Sequence, residues 1–224
     1  MDQHVWNIVA TSFWPILKAG LTMTLPLAFL SFFFGLIIAV LAALVQYAKI
    51  PVVKKLVRIY VWLIRGTPLL VQLMIIFYGL PVIGIQSNPF VAATVGFSIC
   101  EGAYMSEAIR GALESIPRGQ SEAGYCVGMN FVQVMWYIVL PQAFRTAFPA
   151  LSNSLISLVK DSSLAANITV VEMFMTTQRF AGKFYTFMPL YIEVALVYLL
   201  FCTIITFFQS RIEKKLSRYE RKEA

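Results

Sequence analysis

Charged residues are absent from Ala19 to Ala48, a run longer than the roughly 20 residues a helix needs to cross a bilayer. A first membrane helix is therefore predicted within Leu21 to Gln46. A second apolar stretch, Val57 to Leu80, is read as a return span with Arg65 near one end, where its long stem can snorkel to the interface. The Gly- and Pro-containing cluster Gly79 to Pro89 supplies a turn without a charge, and Phe90 to about Ile109 forms a third span holding Glu101 and Glu107. From about residue 111 to 144 the chain is polar but keeps Phe131, Val134, Met135 and Ile138 at helical spacing, as surface helices lying on a membrane would. Ala147 to Val159 is apolar for about 13 residues, too few to cross, and Lys160-Asp161-Ser162-Ser163 interrupts it before Leu164 to Ile168 resumes. A broken helix is expected there. Arg179, Gly182 and Lys183 are read as a turn, and Pro189 to Phe208, with one acid at Glu193, as the last span.

The fold class predicted from this pattern is an all-α membrane protein of about five transmembrane helices, forming a single domain over residues 1–224. No internal repeat is visible, and an odd number of crossings argues against an inverted repeat within the chain. Composition agrees: of 224 residues 59% are apolar and 13% charged, about half the charge of an ordinary soluble domain, so a water-soluble enzyme is excluded. The net charge of +7 is then a statement about topology. Lys49, Lys54, Lys55 and Arg58 crowd the first connection and six Lys or Arg follow Ser210, whereas only Lys18 flanks the first span on its N-terminal side. The positive-inside rule puts that connection and the C-terminus in the cytoplasm and the N-terminus outside. Met1 to Pro15 has no basic residue, so no cleaved signal peptide is expected.

Several chemistries are missing. The chain has no Gly-x-x-x-x-Gly-Lys-Ser/Thr loop with which to cradle ATP, and its one histidine, His4, rules out the paired-histidine zinc helix. The three cysteines, Cys100, Cys126 and Cys202, are too scattered for a disulfide framework. Trp6, Trp14, Trp62 and Trp136 fall near predicted membrane borders, which suits anchoring rather than nucleic acid. No metal or cofactor is expected in this chain.

Within the polar segment, Gly119 to Gly128 reads as a short helix ended by Gly128, the residue most at ease in a left-handed cap. Asn130 can cap a second helix and Gln133 can reach back as in a capping box, while Leu140-Pro141 is expected to stop it. Local physics leaves two readings open, an inert surface loop and a knob that docks a partner.

The run Glu122-Ala123-Gly124, followed by Gly128 and by Ile138-x-Leu140-Pro141, resembles the EAA loop with which permease subunits of bacterial ABC importers dock onto their ATPase. Arg65-Gly66-Thr67-Pro68, Ala103-Tyr104-x-x-Glu107, Ile116-Pro117-Arg118-Gly119-Gln120 and Ser157 to Leu164 are similar to the polar amino-acid branch of that family, the histidine, glutamine, arginine and cystine permeases, in tone closest to the cystine type. The resemblance covers nearly the whole chain. It implies a permease subunit in the bacterial inner membrane, working with a second permease chain (the same or a different one), an ATPase that binds ATP and magnesium, and an extracytoplasmic solute-binding protein, to import a polar amino acid. It assigns ATPase coupling to Gly119, Ser121, Glu122, Ala123, Gly124, Gly128, Leu140 and Pro141. Two departures from the pattern are Gly124, where the family has alanine, and Glu101, where it carries a small or neutral polar residue.

The substrate path is expected among Glu101, Tyr104, Glu107, Lys160, Asp161, Ser162 and Ser163. Glu101 and Glu107 lie about 120° apart around a helix, so only one is expected to face a narrow path; Glu107 can instead bridge Arg110 at the i, i+3 spacing. Asp161 is placed to accept a substrate ammonium, and Ser162 and Ser163 to open a new helix whose free N–H groups favour a carboxylate. The plainer reading has Lys160 and Asp161 neutralising each other. An ion-coupled secondary amino-acid carrier would also place carboxylates at a broken helix, but has no need of the capped knob. A membrane enzyme using Glu101, Glu107 and Asp161, and a pure assembly subunit, are the remaining alternatives.

Overall fold

The structure is a computed structural model that describes residues 3–47, 51–86 and 88–217. Lys49, Ser87 in the predicted turn, and the basic tail from Arg218 onward lie outside the described residues. The elements, in chain order, are α1 (Gln3–Ala19), a π-helical turn (Gly20–Thr24), α2 (Leu25–Tyr47), α3 (Pro51–Arg65), α4 (Leu69–Val82) and α5 (Pro89–Ser115). They continue as α6 (Arg118–Cys126), α7 (Phe131–Val134), a second π turn (Met135–Val139), α8 (Leu140–Asp161), a 3₁₀ segment (Ser162–Ile168), α9 (Met173–Phe184) and α10 (Met188–Ser217). No strand occurs among the described residues, so the all-α expectation stands.

Four boundaries differ from the sequence reading, each for a local reason. Helix begins at Gln3 and runs unbroken to Tyr47, 45 residues, because the polar positions of Gln3–Ala19 lie on an amphipathic helix that the charge-free run alone did not reveal. The stretch Val57 to Leu80 is two helices. Gly66-Thr67-Pro68 separates them, with Pro68 extended at ψ 135°, and Gln72 Nε2 donates to Thr67 O at 3.1 Å and to Thr67 Oγ1 at 2.9 Å, holding the start of α4. Leu140-Pro141 does not end a helix: the chain passes through it into α8. Arg179, Gly182 and Lys183 lie inside α9, and the turn comes at Tyr185, φ +51°.

The two π turns share a cause. Each ends two residues before a proline, Pro26 in one case and Pro141 in the other. Proline cannot donate to the carbonyl four residues back and its ring crowds that carbonyl; widening the preceding turn, so that Leu25 N donates to Gly20 O and Leu140 N to Met135 O, lets the helix continue.

Two described stretches are long and apolar enough to cross a membrane, Gln3–Tyr47 and Met188–Leu216; the number rises to four if each of two broken helix pairs is taken as one span. Large apolar side chains stand exposed along α2 (Phe29, Phe33, Ile37, Leu41) and α10 (Ile192, Leu196, Leu199, Phe207), a face that only hydrocarbon can solvate at low cost. Trp6, Trp14, Trp62 and Trp136 are exposed too.

Contacts resolve into two compact units. The first comprises the described parts of Met1–Phe33, Thr67–Ser98 and Leu155–Phe207, with an apolar core that includes Ile16, Leu27, Leu73, Phe97, Leu158, Ile168 and Met173. Gly20 permits a close approach within this core, since a Cβ there would stand 2.5 Å from the Phe201 ring and 2.6 Å from Met173 Sδ. Ser12 Oγ donates to Glu193 Oε2 at 2.7 Å, tying α1 to α10. The second unit comprises the described parts of Phe34–Gly66, Ile99–Ser154 and Phe208–Ala224 and carries the polar segment.

Candidate functional site: a capped helix pair and two polar clusters

In the second unit, α6 ends in a Schellman arrangement. Met129 N donates to Gly124 O at 3.1 Å and Gly128 N to Tyr125 O at 3.0 Å, with Gly128 at φ +83°. Asn130 then opens α7 with a full capping box: Gln133 N donates to Asn130 Oδ1 at 2.9 Å while Asn130 N donates to Gln133 Oε1 at 2.8 Å. Two short helices are thus held at a fixed corner with few free backbone groups. Gly124 is buried against the second of them; a Cβ at this position would lie 2.8 Å from Ile138 Cδ1 and 2.9 Å from Val134 Cγ2. Close approach, rather than flexibility, is what glycine provides here. Of the coupling residues expected from sequence, Gly119, Glu122, Ala123, Gly128 and Pro141 are exposed, Ser121 and Leu140 half-buried, and Gly124 is packed inward. Tyr125, Val127, Phe131 and Val132 add apolar surface beside them, Val127 being 78% exposed.

The second unit also gathers a charged cluster. Glu107 Oε2 lies 2.9 Å from Arg110 Nη2 at the anticipated i, i+3 spacing and 3.9 Å from Arg65 Nη1, and Gln46 Nε2 donates to Glu107 Oε1 at 3.4 Å. Arg110 Nη1 reaches on to Glu114 Oε2 at 2.6 Å. The Arg65 guanidinium lies 5.2 Å from the Tyr104 ring centre, a cation–π contact. Tyr104 and Glu107 are therefore brought together, with Arg65 and Arg110 as partners, and Glu107 is an acid with two cations rather than a free ligand. Glu101, on the same helix, is buried at 7% exposure.

Lys160, Asp161, Ser162 and Ser163 belong to the first unit, and here the geometry corrects the expectation. Asp161 keeps right-handed helical angles and the chain tightens into a 3₁₀ segment, so no new helix N-terminus opens at Ser162. Ser162 Oγ and Ser163 Oγ donate to Val159 O and Lys160 O, each at 2.8 Å, closing the turn on itself. Among the described residues Lys160 and Asp161 form no ion pair with each other or with a neighbour. The helical break comes seven residues later, at Thr169, φ +65°. Val170 N donates to Ala165 O and Thr169 N to Ala166 O, each at 3.1 Å, and Glu172 starts α9.

Glu172 is the residue the sequence reading passed over. It is wholly buried; its carboxylate accepts from Phe174 N at 2.8 Å, Met175 N at 2.7 Å and Tyr198 Oη at 2.8 Å. Thr24 Oγ1 takes a longer bond, 3.4 Å, from Met173 N. An acid immediately before an apolar helical run is a recognisable N-cap signal, but Val171 to Met175 looks uniformly apolar around it and hides the start. Gln46, likewise, was visible in sequence only as the end of an apolar run. Among the described residues no His, Cys, Asp and Glu set could hold a metal ion.

Residues 35–218 match the family described as the binding-protein-dependent transport system inner membrane component. The chain is 45% identical to the L-cystine transport system permease protein TcyB of Bacillus subtilis (strain 168), over 96% of this chain and 92% of that protein. It is 33% identical to the arginine transport system permease protein ArtQ of the same organism, over 90% and 93%. Among solved structures it is similar to an amino acid ABC transporter with histidines, at a TM-score of 0.87 and 30% identity, covering 96% of this chain and all of the other. A methionine ABC transporter in an inward-facing conformation shares the fold at a TM-score of 0.73. These relatives carry no sign of an ion-coupled carrier, and the chain belongs to the binding-protein-dependent transport system inner membrane component family, as a permease subunit of an ABC importer.

Proposed function

We propose that this chain is the permease of an ATP-driven importer of a polar amino acid in a bacterial inner membrane, with five crossings, the N-terminus outside and the C-terminus in the cytoplasm. Cystine is the substrate we assign, on the 45% identity to an L-cystine permease. ATP and magnesium belong to a separate ATPase subunit, and the transporter is completed by a second permease chain and an external solute-binding protein.

The observation that carries this reading is the capped pair α6–α7. A chain with no phosphate loop needs a mechanical input, and a knob whose corner is fixed by one Schellman cap and one capping box transmits force with little loss to local bending. Gly119, Ser121, Glu122, Ala123 and Gly128 form the contact, Gly124 presses α6 against the second π turn, and Leu140 and Pro141 lead into α8. ATP-driven movement of the partner shifts α8 through this segment, and with it the equilibrium between outward- and inward-open states. Glu101, Tyr104, Glu107 and Lys160 to Ser163 are assigned to the path, with Asp161 as the group that meets the substrate ammonium.

Gly128→Val tests the contact. A valine forced to φ +83° strains or unwinds the Schellman cap. Co-purification of the ATPase should fall and uptake of radiolabelled cystine should drop at least ten-fold, while helical content by circular dichroism stays unchanged. A fully coupled complex carrying this substitution would refute the assignment.

A further inference from the structure

α3 has two dissimilar faces. At 100° per residue Val52, Leu56, Ile59 and Leu63 share one side, and all four are exposed apolar side chains. Lys54 and Arg58 lie on the other side, about 170° and 130° away. That basic side borders a cleft of about 340 Å³ lined by Lys54, Arg58, Trp62, Gln46, Glu107 and Arg110. A second cleft, about 620 Å³, shares Gln46 and Lys54 and extends to Glu114 and Arg118.

The charges in these clefts do not balance. Both carboxylates, Glu107 and Glu114, already grip Arg110, at 2.9 and 2.6 Å. Lys54, Arg58 and Arg118 have no ion-pair partner among the described residues. Among the described residues, three cations without an ion-pair partner therefore surround clefts whose acids are already engaged, and the outer face of the same helix is apolar and exposed. One kind of molecule answers both demands at once, because it joins an anionic group to long apolar chains.

We propose that Lys54, Arg58 and Arg118 bind the phosphodiester headgroup of an anionic phospholipid such as phosphatidylglycerol, whose acyl chains pass Trp62, which stands between the two sides of α3, to reach the exposed Val52–Leu63 face. A soluble phosphate would satisfy the cations but leave that apolar face unpartnered, so the lipid is the occupant. The site links α3, an amphipathic helix, to Arg118, the first residue of α6. Bound lipid would thereby fix one end of the capped helix pair relative to the bilayer surface.

Trp62, 74% exposed and lining the cleft, is a built-in reporter. The full chain carrying Trp6→Phe, Trp14→Phe and Trp136→Phe is reconstituted in phosphatidylcholine vesicles with increasing brominated phosphatidylglycerol or, in parallel, brominated phosphatidylcholine. Quenching of Trp62 should show a preference of roughly ten-fold for the anionic lipid, as expected for a few basic residues acting together. In Lys54→Gln/Arg58→Gln the preference should fall to about two- to three-fold, the share left to Arg118, and in Lys54→Arg/Arg58→Lys it should persist. Should the double glutamine variant fail to reconstitute, Arg118→Gln, at an exposed position, should lower the preference by a few-fold. Equal quenching by the two lipids, a preference unchanged in the glutamine variants, or full displacement of the lipid by soluble glycerol phosphate would each overturn the proposal.

Discussion

Gly124 shows how one missing methyl group can be read two ways. The resemblance to the EAA loop implies alanine here, and from sequence the exchange looks like a loss of helix propensity worth up to about 1 kcal/mol. In the structure the position is a contact, with Ile138 Cδ1 and Val134 Cγ2 where a Cβ would need room. Ile138 can swing its terminal methyl aside, whereas Val134 is stiff at χ1. Gly124→Ala should therefore destabilise mildly, by about 1 kcal/mol, because the stiff, buried Val134 must shift and the gain in helix propensity offsets only part of that. Gly124→Leu should cost about 1–3 kcal/mol and separate α6 from the π turn. Thermal unfolding of the detergent-solubilised chain measures both; equal melting of the two variants would show that the packing does not matter. Glu107 offers a second test at this scale. It is partly exposed and serves Arg110, Arg65 and Gln46 together, so Glu107→Gln should lower stability by roughly 1 kcal/mol, more than an isolated surface pair would, and should do so less at high salt.

At the scale of elements, caps and breaks decide where helices stop. Asn130→Ala removes one half of the capping box and should destabilise α7 by about 1 kcal/mol, visible as faster amide exchange across residues 131–134 with the rest of the chain unchanged. Thr169 is a β-branched residue at φ +65°, an uncommon and strained conformation. Thr169→Asn keeps the unfolded-state entropy nearly constant and tolerates the left-handed region, so it should stabilise by about 0.5–1 kcal/mol in a melting assay. The sequence was legible where a single residue type enforces geometry: Gly128 and the Asn130–Gln133 pair were recognisable because few residues can take those conformations or those bonds. It was misleading at Pro141. The rule that proline ends a helix is local, and the remedy, a π turn five residues long just upstream, leaves no compositional mark. The same applies to Lys160–Ser163. A charged pair beside two serines resembles a break, yet the hydroxyls bond back to Val159 O and Lys160 O and the helix tightens instead.

At the scale of the whole molecule the question is how an amino acid with two opposite charges crosses an apolar bundle. Two readings of Asp161 were open from sequence, contact with substrate or neutralisation by Lys160. The two side chains form no close ion pair among the described residues, yet the Lys160 charge still acts on the Asp161 carboxylate, so a variant has to separate the readings. On the proposed reading the half-buried Asp161 carboxylate, costly to hold in a membrane, gains a transient partner in the substrate ammonium. Asp161→Asn should thus cut cystine uptake and substrate-stimulated ATPase activity of the assembled transporter at least ten-fold, and leave its melting temperature and basal ATPase activity close to those of the parent. Lys160→Met, added to it, should restore neither. A fall in melting temperature on Asp161→Asn that Lys160→Met reverses would show the carboxylate to be part of a balanced pair in the working complex, and would return the substrate contact to Glu101, the other deeply placed acid assigned to the path.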